Sequence, residues 1–140
     1  MNTDKNWNHL FPEFRERLEK LLPKLQSKTK LPWVLIEGFR SQARQDYLYA
    51  QGRTRPGKIV TWTRNPRWHG VGLAGDIAPY KDESVWYGCP YSYWLMVRDF
   101  GKELGLENPV WEKGDFGHLQ YGNEELRHKA SDWVKRGFKF

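Results

Sequence analysis

Two short motifs hold two of the four histidines of this chain, and their side chains must meet in the fold if they act together. His69 and Asp76 lie seven residues apart, and Asp115 and His118 lie three residues apart further along the chain. Two neutral imidazoles and one carboxylate, from His69, His118 and Asp76, suit a catalytic zinc ion that keeps a fourth position for water. Asp115 would then be an acidic side chain beside the metal that can move a proton.

The residues around the first motif predict a bend followed by a strand. Gly70, Gly72 and Gly75 allow the backbone to turn and to come close to a bound ion or substrate. Ile77 and Ala78 follow Asp76 as a short apolar run, which is typical of a buried strand. We therefore expect Asp76 on a strand next to the metal.

The second motif needs a turn. On a strand, His118 would share a face with Phe116 and Gln120, because side chains alternate between the two faces. Asp115 would lie on the opposite side of a straight strand. A turn at Gly114 or Gly117 is therefore needed to bring Asp115 and His118 to one metal.

The order and spacing of these motifs resemble a family of zinc peptidases. That family comprises D-alanyl-D-alanine carboxypeptidases and dipeptidases, together with phage and bacterial L-alanyl-D-glutamate endopeptidases. Its signature is Ser-x-His-x-x-Gly-x-Ala-x-Asp, followed later by Asp or Glu, two residues and His. The matching residues are His69, Gly72, Ala74 and Asp76, then Asp115 and His118.

The resemblance to the endopeptidase branch goes further and covers roughly residues 33–121. It includes residues 38–41, 48–54, 56–57, 59–61 and 105–107. Each motif alone is weak, but their order and spacing are specific. One departure is Arg67, which occupies the position of the signature serine and adds a positive charge beside the expected metal. Residues 107–111 also differ from the usual tryptophan-glycine-glycine run of the family.

The resemblance implies a fold and a set of roles. The fold would be of the D,D-peptidase or hedgehog-like type, with one zinc ion per chain. His69, Asp76 and His118 would hold the metal, and Asp115 would be the general base. Arg40 would bind a substrate carboxylate or stabilise the developing oxyanion. The expected substrate-binding residues are Arg40, Gln42, Trp68 and Trp111, with Gln45 a weaker candidate for a supporting role.

The leading functional interpretation is a zinc peptidase that cuts peptidoglycan stem peptides between L-alanine and D-glutamate. One alternative is a D-alanyl-D-alanine carboxypeptidase or dipeptidase with the same metal and base. Residues 48–54 and 56–61 favour the endopeptidase. Another alternative is a non-catalytic module that binds the wall or nucleic acid, although all three ligands and Asp115 are present.

Composition sets the remaining expectations. A chain of 140 residues is most simply one domain, residues 1–140, and a monomer. The net charge of +6 predicts attraction to an anionic cell wall, and we favour this over nucleic acid because the basic residues 53–67 run directly into His69. No secretory signal or transmembrane run is visible. We therefore expect synthesis in the cytoplasm and delivery to the wall by a phage lysis system or particle, as for an antimicrobial endolysin.

Hydrophobic periodicity and capping signals predict an α+β fold. Helices are expected over residues 11–25, 41–51 and 91–104, and from Asn123 to Val134. Pro23 is expected to end or kink the first of them. One strand is expected over residues 31–36, and a second, shorter strand over residues 59–62. The zinc ligands would lie on a small antiparallel sheet flanked by these helices.

Overall fold

Four α-helices flank a small antiparallel sheet in the computed structural model, which describes residues 2–140. The predicted α+β fold is therefore confirmed. The elements in chain order are α1 (Pro12–Thr29), β1 (Trp33–Glu37), α2 (Gln42–Ala50), β2 (Ala74–Lys81), β3 (Ser84–Val85), α3 (Tyr91–Glu103), β4 (His118–Gln120) and α4 (Glu124–Lys135). Short 3-10 helices cover Trp7–His9, Arg67–Val71 and Trp111–Lys113.

The capping signals read from the sequence are present. The Ser41 hydroxyl accepts a hydrogen bond from the backbone N–H of Arg44 at the start of α2, and the Asn123 side chain accepts one from Leu126 at the start of α4. Gly105 follows α3 with a φ of 77°, a left-handed conformation that glycine adopts without steric cost.

Helix α1 continues through Pro23 to Thr29, so of the two predicted effects of Pro23, an end or a kink, the end is wrong. Proline lacks the N–H for one helical hydrogen bond and its ring crowds the preceding turn, a cost of about 3 kcal/mol. Leu21 and Leu22, just before Pro23, and Leu25, just after it, are all buried. Burying such side chains contributes about 1.5–3 kcal/mol each, which offsets that cost.

The predicted strand over residues 59–62 is also wrong, because this segment has no regular secondary structure. Val60 and Trp62 both project outward from it and are exposed. Gln45 and Arg53 hold this stretch by hydrogen bonds to the backbone carbonyls of Thr63 and Thr61, and Gln45 also bonds the Thr61 hydroxyl. Because side chains already donate hydrogen bonds to these backbone carbonyls, the segment does not need a neighbouring strand to satisfy them.

Strand β2 is the centre of the sheet. It pairs antiparallel with β1, β3 and β4, and Asp76 pairs with both Glu37 on β1 and His118 on β4. Helix α1 packs against this sheet, since a side chain at Gly75 would meet Phe14 and Leu18. Among residues 2–140, no helix combines the length and apolar character needed to cross a membrane.

Candidate metal centre

Three polar residues lie side by side across the sheet. Asp76 is the partner of Glu37 on one side and of His118 on the other. Directly opposite residues in an antiparallel pair project to the same face. The sheet itself therefore brings a carboxylate and an imidazole to one point, although they are far apart in sequence.

His69 comes from the 3-10 helix that precedes β2, and its ring is buried. Its Nδ1 lies 2.7 Å from the carbonyl oxygen of Gly38, which can only accept a hydrogen bond, so Nδ1 carries the proton. Nε2 is then the atom with the free lone pair, and it lies 3.6 Å from Oδ2 of Asp76. A hydrogen bond of this kind fixes the tautomer and the ring orientation of a metal-binding histidine.

Whereas His69 directs Nε2 toward the carboxylate of Asp76, His118 directs Nδ1 toward it. Its Nε2 lies 2.9 Å from Oε1 of Gln120, and its Nδ1 lies 3.2 Å from Oδ1 of Asp76. With Gln120 accepting from Nε2, Nδ1 is the nitrogen directed at the carboxylate. His69 would thus bind a metal through Nε2 and His118 through Nδ1.

The ligand atoms of His69, Asp76 and His118 all lie within 4.8 Å of one another. In a tetrahedral zinc site, bonds of about 2.0–2.1 Å place neighbouring ligand atoms about 3.3 Å apart. Nε2 of His69 lies 3.6 Å from Oδ2 of Asp76, and Nδ1 of His118 lies 3.2 Å from Oδ1, so each imidazole is about that far from one oxygen of the carboxylate. The donor set and its spacing therefore fit zinc.

The charges of this cluster favour an ionised carboxylate. Burial alone would raise the pKa of Asp76, but without a metal the two histidines, through the positive charge of their protonated forms and through hydrogen bonds, hold it well below its usual range. Burial would likewise lower the pKa of His118, and the hydrogen bond and charge of Asp76 raise it on balance. Asp76 is thus an anionic group between two imidazoles, as a metal ligand must be.

Asp115 reaches the same cavity because the chain turns twice before β4. Gly114 has a φ of 83° and ends the 3-10 helix Trp111–Lys113. Gly117 lies so close to β2 that an added Cβ would be 2.3 Å from the carbonyl oxygen of Ile77. The turn that the sequence required is therefore present, and both candidate glycines take part in it.

The environment of the Asp115 carboxyl suits a group that exchanges protons. Although the residue is exposed, desolvation of its carboxyl within the cavity and the negative charge of Asp76 raise its pKa above the usual value. The positive charges of His118, His69 and Arg40 oppose that rise. The side-chain amide of Asn108 donates to the Asp115 backbone carbonyl at 2.8 Å and fixes the turn.

Arg40 lies beside the three candidate metal ligands, where a buried carboxylate holds it. Its Nη2 lies 2.7 Å from Oε1 of Glu37 and 3.9 Å from Oδ2 of Asp76. Arg44 binds the other oxygen of Glu37 at 3.0 Å. Arg40 also donates to Oε1 of Gln45 at 3.2 Å. Glu37 is only 4% exposed, so both of its oxygens are used to position arginines.

One cavity of about 940 Å³ joins these groups. Of the residues predicted from the sequence, those that line it are Arg40, Gln45, Trp68, His69, Asp76, Asp115 and His118. Arg67 lines it too, with a φ of 52° and its backbone N–H bonded to the Asn65 side chain at 2.7 Å.

Gln42 and Trp111 lie outside the lining of this cavity. The Gln42 amide donates to the backbone carbonyl of Arg64 and to Asp46. The Trp111 ring packs on Phe116, with centroids 4.7 Å apart. Arg40 and Trp68 therefore line the cavity together with the candidate metal ligands, whereas Gln42 and Trp111 lie outside it.

Sequence reasoning gave no role to three groups that position or surround the site. Glu37 precedes Arg40 by three residues, and Gln120 follows His118 by two on the same strand face. Those spacings were usable signals, since a carboxylate and an amide within reach of a functional side chain often orient it. Trp62 is the third, and only the three-dimensional course of residues 59–63 places it at the cavity.

The fold is shared with a set of solved peptidases. The L-Ala D-Glu endopeptidase ChiX of Serratia marcescens superposes with a TM-score of 0.59 over 90% of this chain and 90% of that chain, at 22% identity. A variant of the vancomycin resistance D,D-pentapeptidase VanY, solved in complex with Zn(II), has a TM-score of 0.59 over 88% of this chain and 78% of that chain, at 15% identity. These likenesses show that the chain has the fold of this class of peptidase.

Within that class, the sequence is similar to one particular branch. The peptidoglycan L-alanyl-D-glutamate endopeptidase CwlK of Bacillus subtilis is 42% identical over 98 residues, which are 62% of this chain and 59% of that protein. The match therefore spans about three-fifths of the length of the relative. A scan against models of protein families finds no match. The resemblance to L-alanyl-D-glutamate endopeptidases that the motifs predict is confirmed.

Proposed function

We propose that this protein is a zinc-dependent peptidoglycan endopeptidase that cleaves stem peptides at the bond between L-alanine and D-glutamate. The observation that carries the proposal is the convergence of a zinc-type ligand set, Asp115 and Arg40 on one cavity. The 42% identity to an enzyme of that description supports the choice of bond.

One zinc ion per chain would be held by Nε2 of His69, the carboxylate of Asp76 and Nδ1 of His118. When bound, zinc polarises a carbonyl group and lowers the pKa of a water molecule toward ~7. The hydrogen bonds from His69 to Gly38 and from His118 to Gln120 keep the two imidazoles oriented for this role.

Asp115 is the proposed general base. Its carboxylate takes a proton from the water that attacks the carbonyl carbon of L-alanine, and it then returns a proton to the departing amine of D-glutamate. Asn108 and the turn at Gly114 hold the backbone from which the carboxyl projects.

Arg40 binds a substrate carboxylate or the oxyanion that develops at the scissile carbonyl. Its guanidinium is positioned before the substrate arrives, since Glu37 and Gln45 both accept hydrogen bonds from it. Trp68 forms part of the cavity wall that contacts the substrate. Gln42 and Trp111 act indirectly, Gln42 through the loop at Arg64 and Trp111 through Phe116.

The partner that follows from this activity is an anionic cell wall, approached by a monomeric, cationic protein. Delivery by a phage lysis system or a phage particle stays a prediction from the sequence.

Digestion of purified peptidoglycan, followed by mass analysis of the fragments, tests the function. We expect zinc-loaded protein to release fragments with a new amino-terminal D-glutamate, and His118→Ala protein to release none. Release of D-alanine instead would identify a carboxypeptidase. Wall binding without any cleavage by zinc-loaded protein would identify a non-catalytic module.

A further inference from the structure

A tryptophan stands exposed at the cavity that holds the metal ligands. The side chain of Trp62 is 80% exposed, although it belongs to the residues that line the cavity with His69 and Asp76. Its neighbour Val60 also lines the cavity and is 55% exposed. Large aromatic side chains usually bury most of their surface, so an exposed tryptophan beside a reaction site suggests a ligand that covers it.

The backbone on both sides of Trp62 is held from beneath. Gln45 is 1% exposed, and its side-chain amide donates to the carbonyl of Thr63 at 2.7 Å and to the Thr61 hydroxyl at 3.3 Å. Arg53 donates to the carbonyl of Thr61 at 3.0 Å. The loop therefore presents the indole from a fixed position.

The same arginine supports the ring. The Arg53 guanidinium carbon lies 5.4 Å from the Trp62 ring centroid and 3.7 Å from that of Tyr49. Arg53 also donates to the backbone carbonyl of Tyr49 at 2.6 Å. A cation placed over an indole is attracted to it, so the arrangement limits the motion of Trp62 without covering it.

We propose that Trp62 is a saccharide-binding subsite that receives the amino sugar to which the stem peptide is attached. This inference rests on the proposed function, because L-alanine of the stem is joined directly to the lactyl group of N-acetylmuramic acid. One amino-acid residue and the lactyl group separate the sugar ring from the scissile bond, which is roughly 7 Å if each spans about 3.6 Å. The C–H face of a sugar ring is apolar and packs on the face of an aromatic ring, as other apolar groups do.

The test uses two substrates that differ only in the sugar. One is the disaccharide N-acetylglucosaminyl-N-acetylmuramic acid carrying L-alanyl-γ-D-glutamyl-L-lysine, and the other is the same peptide with an N-terminal acetyl group. For each zinc-loaded variant, kcat/KM for the sugar-bearing substrate is divided by kcat/KM for the acetylated peptide. We expect Trp62→Ala to lower this ratio about five- to tenfold. Trp62→Phe should largely restore the ratio, and Phe140→Ala, which changes another exposed aromatic residue outside the cavity, should leave it unchanged.

An unchanged ratio for Trp62→Ala would overturn the subsite while leaving the endopeptidase proposal intact. Failure of the wild type to cleave either substrate would overturn the endopeptidase proposal. Titration with the disaccharide alone then decides the subsite, by following the indole N–H resonance that is missing in Trp62→Phe. A concentration-dependent shift of that resonance supports the subsite, and an unmoved resonance overturns it.

Discussion

The side-chain oxygen of Gln120 lies 2.9 Å from Nε2 of His118, two residues away on the same face of β4. This hydrogen bond leaves Nδ1 of His118 directed at Asp76. A metal-binding histidine whose second nitrogen is fixed in this way is oriented before the ion arrives, and loss of such a partner typically reduces metal affinity 10- to 100-fold. The amide of Gln120 thus orients a candidate metal ligand without being one itself.

Gln120→Ala is expected to weaken zinc binding about 10- to 100-fold, because the His118 ring loses its orienting acceptor. Competition with a chelator of known affinity measures the effect. Gln120→Glu keeps an acceptor in place and should bind zinc far better than the alanine variant. Gln42→Ala removes an amide outside the cavity and serves as the control. Equal zinc affinity of Gln120→Ala and wild type would remove Gln120 from the metal centre.

Asp115→Asn is expected to keep zinc and the fold and to lose about 10²–10⁴-fold in kcat, because an amide cannot accept and return the proton. The measurement is release of the D-glutamate-terminated fragment by protein of verified zinc content. Glu112→Gln is the matched control, since Glu112 is the carboxylate three residues earlier and does not line the cavity. If Glu112→Gln is the inactive variant and Asp115→Asn the active one, the base is Glu112.

Arg40 and Arg44 offer a matched pair, because both bind the buried carboxylate of Glu37 but only Arg40 lines the cavity. Lysine cannot reproduce the fork of guanidinium donors. Arg40→Lys is expected to lower kcat/KM about 100-fold, the typical effect of losing one oxyanion donor. Arg44→Lys should change kcat/KM only a few-fold, although both variants lower the thermal midpoint. Equal losses of activity would reduce Arg40 to a structural ion pair.

The candidate metal ligands could be recognised in the sequence because their chemistry is local. His69, Asp76 and His118 are residue types that bind zinc, and the glycines beside them signalled the turns that the structure contains. The predicted caps at Ser41 and Asn123 were equally local, since each side chain bonds a backbone N–H three residues later. These features depend on short stretches of chain and little else.

The contacts that hold the loop over the site could not be predicted in the same way. Gln45 is a supporting residue that the sequence suggested, but no local pattern indicates that it bonds both Arg40 and a loop at Thr61 and Thr63 that passes over α2. Pro23 was misinterpreted for a related reason, since the burial of its neighbours depends on packing against the sheet. Long-range packing outweighs local preference at such positions.

Cys89 provides a pH-dependent probe of the core. Burial raises the pKa of its thiol to about 11, so folding favours the neutral thiol. Because the folded pKa lies above the ordinary value of ~8.5, the contribution of the thiol to stability is fully present below that pH and is lost as pH rises toward the folded pKa. We expect the free energy of unfolding of wild type to fall more steeply than that of Cys89→Ala over this range in denaturant titrations. Parallel pH profiles would show that the thiolate is tolerated in the fold.

Positive charge near the cavity is expected to assist encounter with the wall, and the structure identifies which residues can test this. Arg53 and Arg55 are partly buried, and their guanidinium groups bond backbone carbonyls of α2 and the following loop. Neutralising them would disturb the loop itself. Lys58 and Arg64 are exposed, so a Lys58→Gln, Arg64→Gln double variant changes charge with less effect on structure.

Activity on whole wall should fall as salt rises, because the Debye length shortens to ~8 Å at physiological ionic strength and less above it. Activity on a short soluble stem peptide should fall much less, since a small substrate with few charges gains little from long-range attraction. At low salt, the double variant should act on whole wall as wild type does at higher salt. A double variant that retains the full salt dependence of wild type would exclude Lys58 and Arg64 from steering. Equal salt dependence on whole wall and peptide would show that the basic loop is a solvated surface with no part in substrate approach.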